Sequence, residues 1–117
     1  MARRVLPQRR SVETVEIFWA GHAIAVSVGF DPAAVTVAEV FADTGRGGGM
    51  QATVADACVL ISLALQHGCA PAALGRSLGR EPAWINGVAG SAPASPVGAI
   101  AEVVAGVAAR IDAEAGR

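Results

Sequence analysis

The stretch "DTGRGGGMQATVADACVLISLALQHG", residues 43–68, decides the fold because the spacing of its apolar residues changes at Met50. From Met50 onward the apolar side chains recur with helical spacing. One stripe of this predicted helix consists of Val54, Cys58, Ile61 and Leu65. Gly68 is placed to end the helix, because glycine readily takes the left-handed conformation that follows helix C-termini. The stretch therefore predicts a glycine-rich turn followed by a helix.

This helix is apolar on nearly all sides. An adjoining stripe consists of Ala57, Leu60 and Ala64, and the polar interruptions are Gln51, Thr53, Asp56, Ser62 and Gln66. A helix that is apolar on most sides is normally covered on most sides. We therefore expect it to pack on a sheet with one face and on another helix, or on another chain, with a second.

The residues before the glycine-rich turn have the two-residue period of strands. Apolar and polar or small side chains alternate through residues 11–21 and 22–30, with Gly21 and His22 between them, which predicts an antiparallel hairpin. Residues 35–43, "VTVAEVFAD", predict a third strand because they are rich in β-branched and aromatic residues. The connections are too short for a crossover helix, so we expect a meander.

Two more helices are predicted after Gly68. Pro71 is well placed to start a short helix that extends to Leu78, and Ser95 precedes a last helix that ends near Ala113. The intervening residues 79–95 are rich in Gly, Pro and Ala and are interpreted as an irregular loop, held to the body by Trp84 and Ile85. The fold class is therefore α+β: a three-stranded antiparallel meander followed by three helices packed on one sheet face, in a single domain over residues 13–114.

Composition limits the classes of function. The chain has 117 residues, 53% of them hydrophobic, and a formal net charge of −1, so we expect one packed domain with no general attraction to nucleic acid or anionic membrane. The two Cys lack a paired spacing, as in proteins of a reducing cytoplasm. The run from Ala57 to Leu65 is shorter than the ~20 residues of a membrane span. A cytoplasmic protein with no membrane association is expected.

The basic residues cluster at the start of the chain. Four of the nine basic residues lie in residues 1–12, which we interpret as a flexible basic arm; they are Arg3, Arg4, Arg9 and Arg10. Such an arm is either a solvated terminus or a binding element for phosphate, nucleic acid or an acidic protein surface.

The glycine-rich turn is a candidate anion site. It precedes a helix N-terminus, where free N–H groups favour negative charge, and its candidate ligands are Arg46, Gly47, Gly48 and Gly49. The Lys-Ser/Thr ending of a Walker motif is absent, so a strand-to-helix hinge is the alternative interpretation.

No catalytic constellation is evident. Cys58 lies on the apolar stripe and is expected to be a core residue with an inert thiol. Cys69 follows His67 closely, which raises a thiol-enzyme hypothesis, although neighbouring residues rarely face each other correctly for nucleophilic chemistry. His22, His67 and the two Cys have no zinc spacing, so neither a metal nor a cofactor is expected.

Residues 40–78, "VFADTGRGGGMQATVADACVLISLALQHGCAPAALGRSL", are similar to the TSCPD domain, and "ISLALQHG" at residues 61–68 is the most specific part. That domain lies at the C-terminal end of adenosylcobalamin-dependent ribonucleotide reductases and also occurs in small stand-alone alphaproteobacterial relatives. The resemblance extends over about residues 13–107. The family signature has Cys and Asp in a "SCPDAIA"-like segment, whereas residues 94–101 are "ASPVGAIA". Thiol or metal roles of those family residues are therefore not carried over.

The nearly all-round apolar helix in a small chain predicts a function in association, and the resemblance suggests a reductase-like partner. A reductase needs a large barrel for which this chain has no room, so it is not predicted to be an enzyme of that kind by itself. We expect a stand-alone, non-catalytic module that binds a protein partner, either a second copy or a reductase-like protein. The alternative is a nucleotide- or nucleic-acid-binding module that uses the glycine-rich turn and the basic arm.

Overall fold

Residues 2–3, 6, 11–33 and 35–116 are described by the computed structural model of the chain. In chain order, the elements are β1 (Val12–Trp19), β2 (His22–Asp31), β3 (Thr36–Asp43), α1 (Gly49–Gln66), α2 (Pro71–Ser77), β4 (Arg80–Ile85), β5 (Val88–Pro93) and α3 (Pro96–Glu114). The predicted α+β class, with three strands followed by three helices, is confirmed. The structure adds a strand pair, β4 and β5, that the sequence pattern did not predict.

The first three strands form an antiparallel meander in the order β1-β2-β3. Ala20 and Gly21 make the first turn, with φ angles of 49° and 79°, which are the left-handed values that a tight two-residue hairpin requires. Alternation along β2 places Ile24, Val26 and Val28 on the inner face of the sheet, where each is fully buried. The predicted hairpin and its alternation of side chains are confirmed.

The hydrophobic core lies between this inner face and helices α1 and α3. The predicted stripe of α1, Val54, Cys58, Ile61 and Leu65, is buried and is called the inner stripe below. Ile100 and Val104 of α3 complete the core and are fully buried. Helix α2 packs on α3, and a Cβ added at Gly75 would lie 2.9 Å from the Cβ of Ala105, so glycine permits this close approach.

Helix α1 also covers the free edge of β3 through three of its polar side chains. Ser62 Oγ accepts a hydrogen bond from the backbone N–H of Val40 at 3.0 Å. Gln51 Nε2 donates to the Ala42 carbonyl oxygen at 3.3 Å, and Gln66 Nε2 donates to the Ala38 carbonyl oxygen at 3.2 Å. An edge strand normally presents unpaired backbone groups that attract other strands. These side chains satisfy that edge, so the polar interruptions of the predicted helix have a structural role.

The side of α1 that faces away from β3 and α3 is left exposed by the residues that the structure describes. The predicted packing of this helix on a sheet and on another helix is met by β3 and α3. Val59 is nevertheless 57% exposed and Leu60 is 68% exposed. Of the described helices, α1 alone is long and apolar enough to span a bilayer by length and composition, and 28% of it is buried. Its inner stripe and its bonds to β3 are those of a core helix, and its outer side is an exposed apolar surface.

The prediction of an irregular loop over residues 79–95 is wrong. Strands β4 and β5 pair in antiparallel register from Arg80 with Pro93 to Ile85 with Val88. The turn consists of Asn86 and Gly87, with φ angles of 51° and 77°. Asn-Gly is the sequence most typical of this two-residue turn, because both residues accept positive φ. The Asn-Gly pair that indicates a hairpin is present in the sequence, but the high Gly and Pro content of the segment favoured its interpretation as a loop.

The C-terminus of α1 and the N-terminus of α3 have the capping contacts that the sequence predicts. Gly68 has a φ of 95°, and the Cys69 N–H donates to the Ala64 carbonyl oxygen at 2.9 Å, which closes the C-terminus of α1. Ser95 Oγ accepts a hydrogen bond from the Gly98 N–H at 3.0 Å, which caps the start of α3. The predicted starts and ends of these helices are therefore correct to within about two residues.

Candidate functional site

The glycine-rich turn joins β3 to the N-terminus of α1, and side chains on both sides hold it in place. Gln51 Oε1 accepts a hydrogen bond from the Thr44 N–H at 2.8 Å, and Asp43 Oδ1 accepts one from the Gly45 N–H at 2.8 Å. Arg46 is exposed. Within the described part of the chain, no side chain caps the first N–H groups of α1. The turn that leads to these groups contains one cation, Arg46, and follows one anion, Asp43.

Glycine is required by the backbone at only part of this turn. Gly45 and Gly48 have φ angles of 71° and 99°, which other residues rarely adopt. Gly47 and Gly49 have no positive φ, and an added Cβ at either position would meet no described atom within 4 Å. The fold therefore explains two of these four glycines. The candidate anion site at Arg46 and Gly47–Gly49 stays a prediction.

One residue of the predicted basic arm lies on the body of the protein. Arg3 Nε donates to Gln66 Oε1 at 2.7 Å, at the C-terminal end of α1. Arg4, Arg9 and Arg10 lie outside the described residues. Arg3 thus lies at the opposite end of α1 from Arg46, so these two arginines are not brought together.

The cysteines show no sign of a reactive centre. Cys58 is 3% exposed in the core, and burial raises the pKa of its thiol to about 11, so the thiol stays protonated and inert at neutral pH. Cys69 Sγ donates to the Ala70 carbonyl oxygen at 3.8 Å, and His67 is exposed at the C-cap of α1. Among the described residues, no group of three or more His, Cys, Asp or Glu side chains is placed to hold a metal ion.

The second hairpin, formed by β4 and β5, carries the most exposed aromatic side chain of the described surface. Trp84 is 77% exposed, Ile85 is 50% exposed and Val88 is 66% exposed. These three residues lie next to the turn and are called the hairpin tip below. The sequence interpretation placed Trp84 and Ile85 against the body, and this is wrong. Because the hairpin extends away from the core, its tip is an apolar surface in water.

The base of the second hairpin is fixed to the body by polar contacts. The Arg80 guanidinium donates to Glu102 Oε2 of α3 at 2.9 Å and to the Ser91 carbonyl oxygen at 3.0 Å. Trp19 Nε1 donates to the Pro93 carbonyl oxygen at 3.2 Å, which joins β5 to the end of β1. The orientation of the hairpin is thus set by α3 and by the first hairpin.

A recess of about 480 Å³ lies where the two hairpins and α3 meet. Trp19, Pro93 and Val103 contribute apolar walls, and Phe18 lines it while being 70% exposed. The recess is acidic on one side because it includes Glu81 and Glu102, of which Glu102 is paired with Arg80.

The comparisons with known proteins identify one family. The family model of the TSCPD domain matches residues 2–108, nearly the whole chain. No curated protein and no solved structure matches the chain. The family match includes the glycine-rich turn, α1 and the second hairpin.

Proposed function

Because the chain belongs to the TSCPD domain family, we propose that it is a stand-alone, non-catalytic module that acts by binding another protein in the cytoplasm. The partner we propose is the catalytic chain of an adenosylcobalamin-dependent ribonucleotide reductase, since the resemblance is to a domain found on such enzymes. The hairpin tip is the proposed contact surface.

The observation that carries this proposal is the exposure of Trp84 at the end of an anchored hairpin. An exposed Trp with two neighbouring aliphatic side chains gains free energy when a partner removes it from water. Tryptophan is enriched among the residues that dominate binding energy at protein interfaces. Since Arg80 holds the hairpin base on α3, little ordering is needed before binding, which lowers the entropic cost of association.

The hairpin favours contact through side chains over pairing with a further strand. Pro82 lies in β4 and Pro93 lies in β5, and each proline removes a backbone N–H donor from its strand. Prolines in edge strands oppose the addition of a neighbouring strand. The partner surface that fits is therefore an apolar pocket for Trp84, with basic groups placed near Glu81 at the acidic recess.

The proposal is tested by calorimetric titration of the purified chain into the purified reductase catalytic chain of the same organism. We expect saturable binding that Trp84→Ala weakens by at least about tenfold, which corresponds to about 1.4 kcal/mol and is modest for an interfacial Trp. Phe41→Ala is the matched control, because Phe41 is 54% exposed on β3 and lies in a different element from the tip. Absence of binding, or equal weakening by both variants, contradicts the proposal.

The alternative function is nucleotide binding at Arg46 and Gly47–Gly49. What supports it is the open start of α1 and the two glycines whose presence the backbone does not require. On this alternative, nucleotides at low salt raise the melting temperature of the chain, and Arg46→Ala removes the effect. Gly47→Ala leaves the melting temperature of the free chain nearly unchanged and weakens only the response to nucleotide.

A further inference from the structure

The outer face of α1 is a second exposed apolar surface, separate from the hairpin tip. It consists of Val59, Leu60 and Leu63, of which the first two are 57% and 68% exposed. Beside it, a groove of about 510 Å³ runs between α1 and β3 and includes Phe41, which is 54% exposed. Single exposed apolar residues are common on protein surfaces, but a continuous strip along a helix indicates an interaction surface.

The charges on this surface have opposite signs at its two ends. Asp56 is the single charged residue in the sequence of α1, is exposed, and shares the outer side of the helix with Val59 and Leu63 by helical spacing. Arg3 lines the same groove as Val59 and Leu63, and its Nε is bonded to Gln66 Oε1 at the C-terminal end of α1. Glu39 also lines this groove but is only 5% exposed, so the exposed charges are negative at Asp56 and positive at Arg3.

We propose that the outer face of α1 binds the same face of a second copy of this chain, with the two helices antiparallel. A two-fold axis near Ile61 places Asp56 of each copy opposite Gln66 and Arg3 of the other, because residues 56 and 66 lie equally far from residue 61. Leu60 then lies near the axis against its symmetry mate, and Val59 faces Leu63 of the second copy. A parallel pair would place like charges together.

A second copy suits this surface because its charge pattern is complementary to itself under a two-fold rotation, which is the commonest symmetry of homodimers. One antiparallel helix pair covers less than the roughly 800 Å² per partner that is usual in stable complexes. We therefore expect a reversible dimer whose population depends on concentration. This inference goes beyond the proposed function, since α1 and the hairpin tip lie on different elements.

Sedimentation equilibrium over a wide concentration range at low salt tests the inference. We expect a monomer–dimer equilibrium that Leu60→Asp removes, with the melting temperature of the variant showing that it folds. Trp84→Ala is the matched control and should leave dimerisation unchanged. A monomer at every concentration, or a dimer that survives Leu60→Asp or is lost with Trp84→Ala, overturns the inference.

A charge exchange tests the antiparallel register. Asp56→Arg alone and Arg3→Glu alone should each weaken dimerisation about tenfold, because the two-fold axis makes every substitution act at two ion pairs. The double variant Asp56→Arg/Arg3→Glu should restore the affinity of the original chain. Failure of the double variant to recover affinity overturns the register. The dimer and the reductase complex can be tested independently, because reductase binding is proposed to depend on Trp84. Variants of α1 that lose dimerisation should therefore keep reductase binding.

Discussion

The two hairpins of this protein have the same turn and opposite surroundings. Ala20–Gly21 and Asn86–Gly87 adopt nearly equal positive φ angles, and a Trp precedes each turn. Trp19 packs against the core and its Nε1 is hydrogen-bonded to Pro93, whereas Trp84 is 77% exposed. A two-residue turn and its flanking strands are thus determined locally, while the burial of a hairpin is determined by what packs on it.

Because the two hairpins differ in burial, we expect the first to contribute to the stability of the fold and the second to contribute to recognition of a partner. The strands of the first hairpin belong to the meander, and the inner face of β2 is fully buried under α1 and α3. The second hairpin touches the body at its base, and its strands are mostly exposed toward the tip. We therefore expect substitutions in the first hairpin to lower the free energy of unfolding, and those at the tip of the second to affect binding.

The two Trp residues should differ most in what their replacement does to the free energy of unfolding. Trp19→Ala should lower the free energy of unfolding by about 2–3 kcal/mol, because it removes packing against the core and one hydrogen bond. Trp84→Ala should change it by less than about 0.5 kcal/mol, as is usual for exposed positions. Urea denaturation followed by circular dichroism measures both, and equal losses would break the comparison.

Alkaline pH should destabilise the core that contains the first hairpin. The thiol of Cys58 has its pKa raised by burial from 9.0 to about 11, so between these values the unfolded chain releases a proton that the folded chain keeps. The free energy of unfolding therefore falls as pH rises from 9 to 11, by about 2–3 kcal/mol in total.

The chain contains neither Tyr nor Lys, the usual groups that titrate in this range, and of its two thiols Cys58 is the one buried in the core. Cys58→Ala should remove most of the pH dependence of the unfolding free energy over the same interval. Neither β4 nor β5 contains a cysteine, so the second hairpin should show no local response. An unchanged slope in Cys58→Ala would refute the assignment.

Matched glycine substitutions compare the two turns directly. Gly21→Ala and Gly87→Ala each place a Cβ in the left-handed region, where the strain is about 1 kcal/mol, and neither Cβ would meet a described atom within 4 Å. We expect Gly21→Ala to lower global stability by that amount. Gly87→Ala should instead accelerate amide exchange in β4 and β5 while global stability changes little. Reversed outcomes would show that the second hairpin is part of the cooperative core.

The smallest effect is expected from the ion pair at the hairpin base. Arg80 and Glu102 are both substantially exposed, so their contribution is small. Arg80→Ala should increase amide exchange in the second hairpin about two- to fivefold, and the melting temperature should hardly change. Arg76→Ala on α2 is the matched control, with no expected change in the exchange of β4 and β5. An unaltered rate in Arg80→Ala would show that other contacts orient the hairpin.

The meander and the helices were predictable because their signals are repeated along the chain. The alternation through β1 and β2 and the inner stripe of α1 each extend over many residues, so one misleading position does not alter the interpretation. The hairpin of β4 and β5 depends on Asn86–Gly87 alone, within strands whose Gly and Pro content is typical of loops. A short apolar segment does not indicate whether its side chains are buried or exposed. The prediction that Trp84 packs on the body is wrong for that reason.

The surfaces proposed for association were predictable only in part. The uniform apolar character of α1 indicated that the helix needs more cover than one sheet provides, and Val59 and Leu60 are the large apolar residues of α1 that are left exposed. The pairing of Gln51, Ser62 and Gln66 with the edge of β3 could not be predicted, because it depends on the lateral position of α1 relative to the sheet. Arg3 reaches Gln66 across 63 positions of sequence, and no local pattern reports such a contact.

The fluorescence of Trp84 shows whether the hairpin tip is an anchored binding surface. The chain has two Trp, so in Trp19→Phe the emission reports Trp84 alone. We expect the long-wavelength emission of a hydrated indole in the free chain and, once the emission of the reductase catalytic chain alone is subtracted, a saturable shift to shorter wavelength on titration with that chain. Short-wavelength emission in the free chain, or no shift on titration, would contradict it.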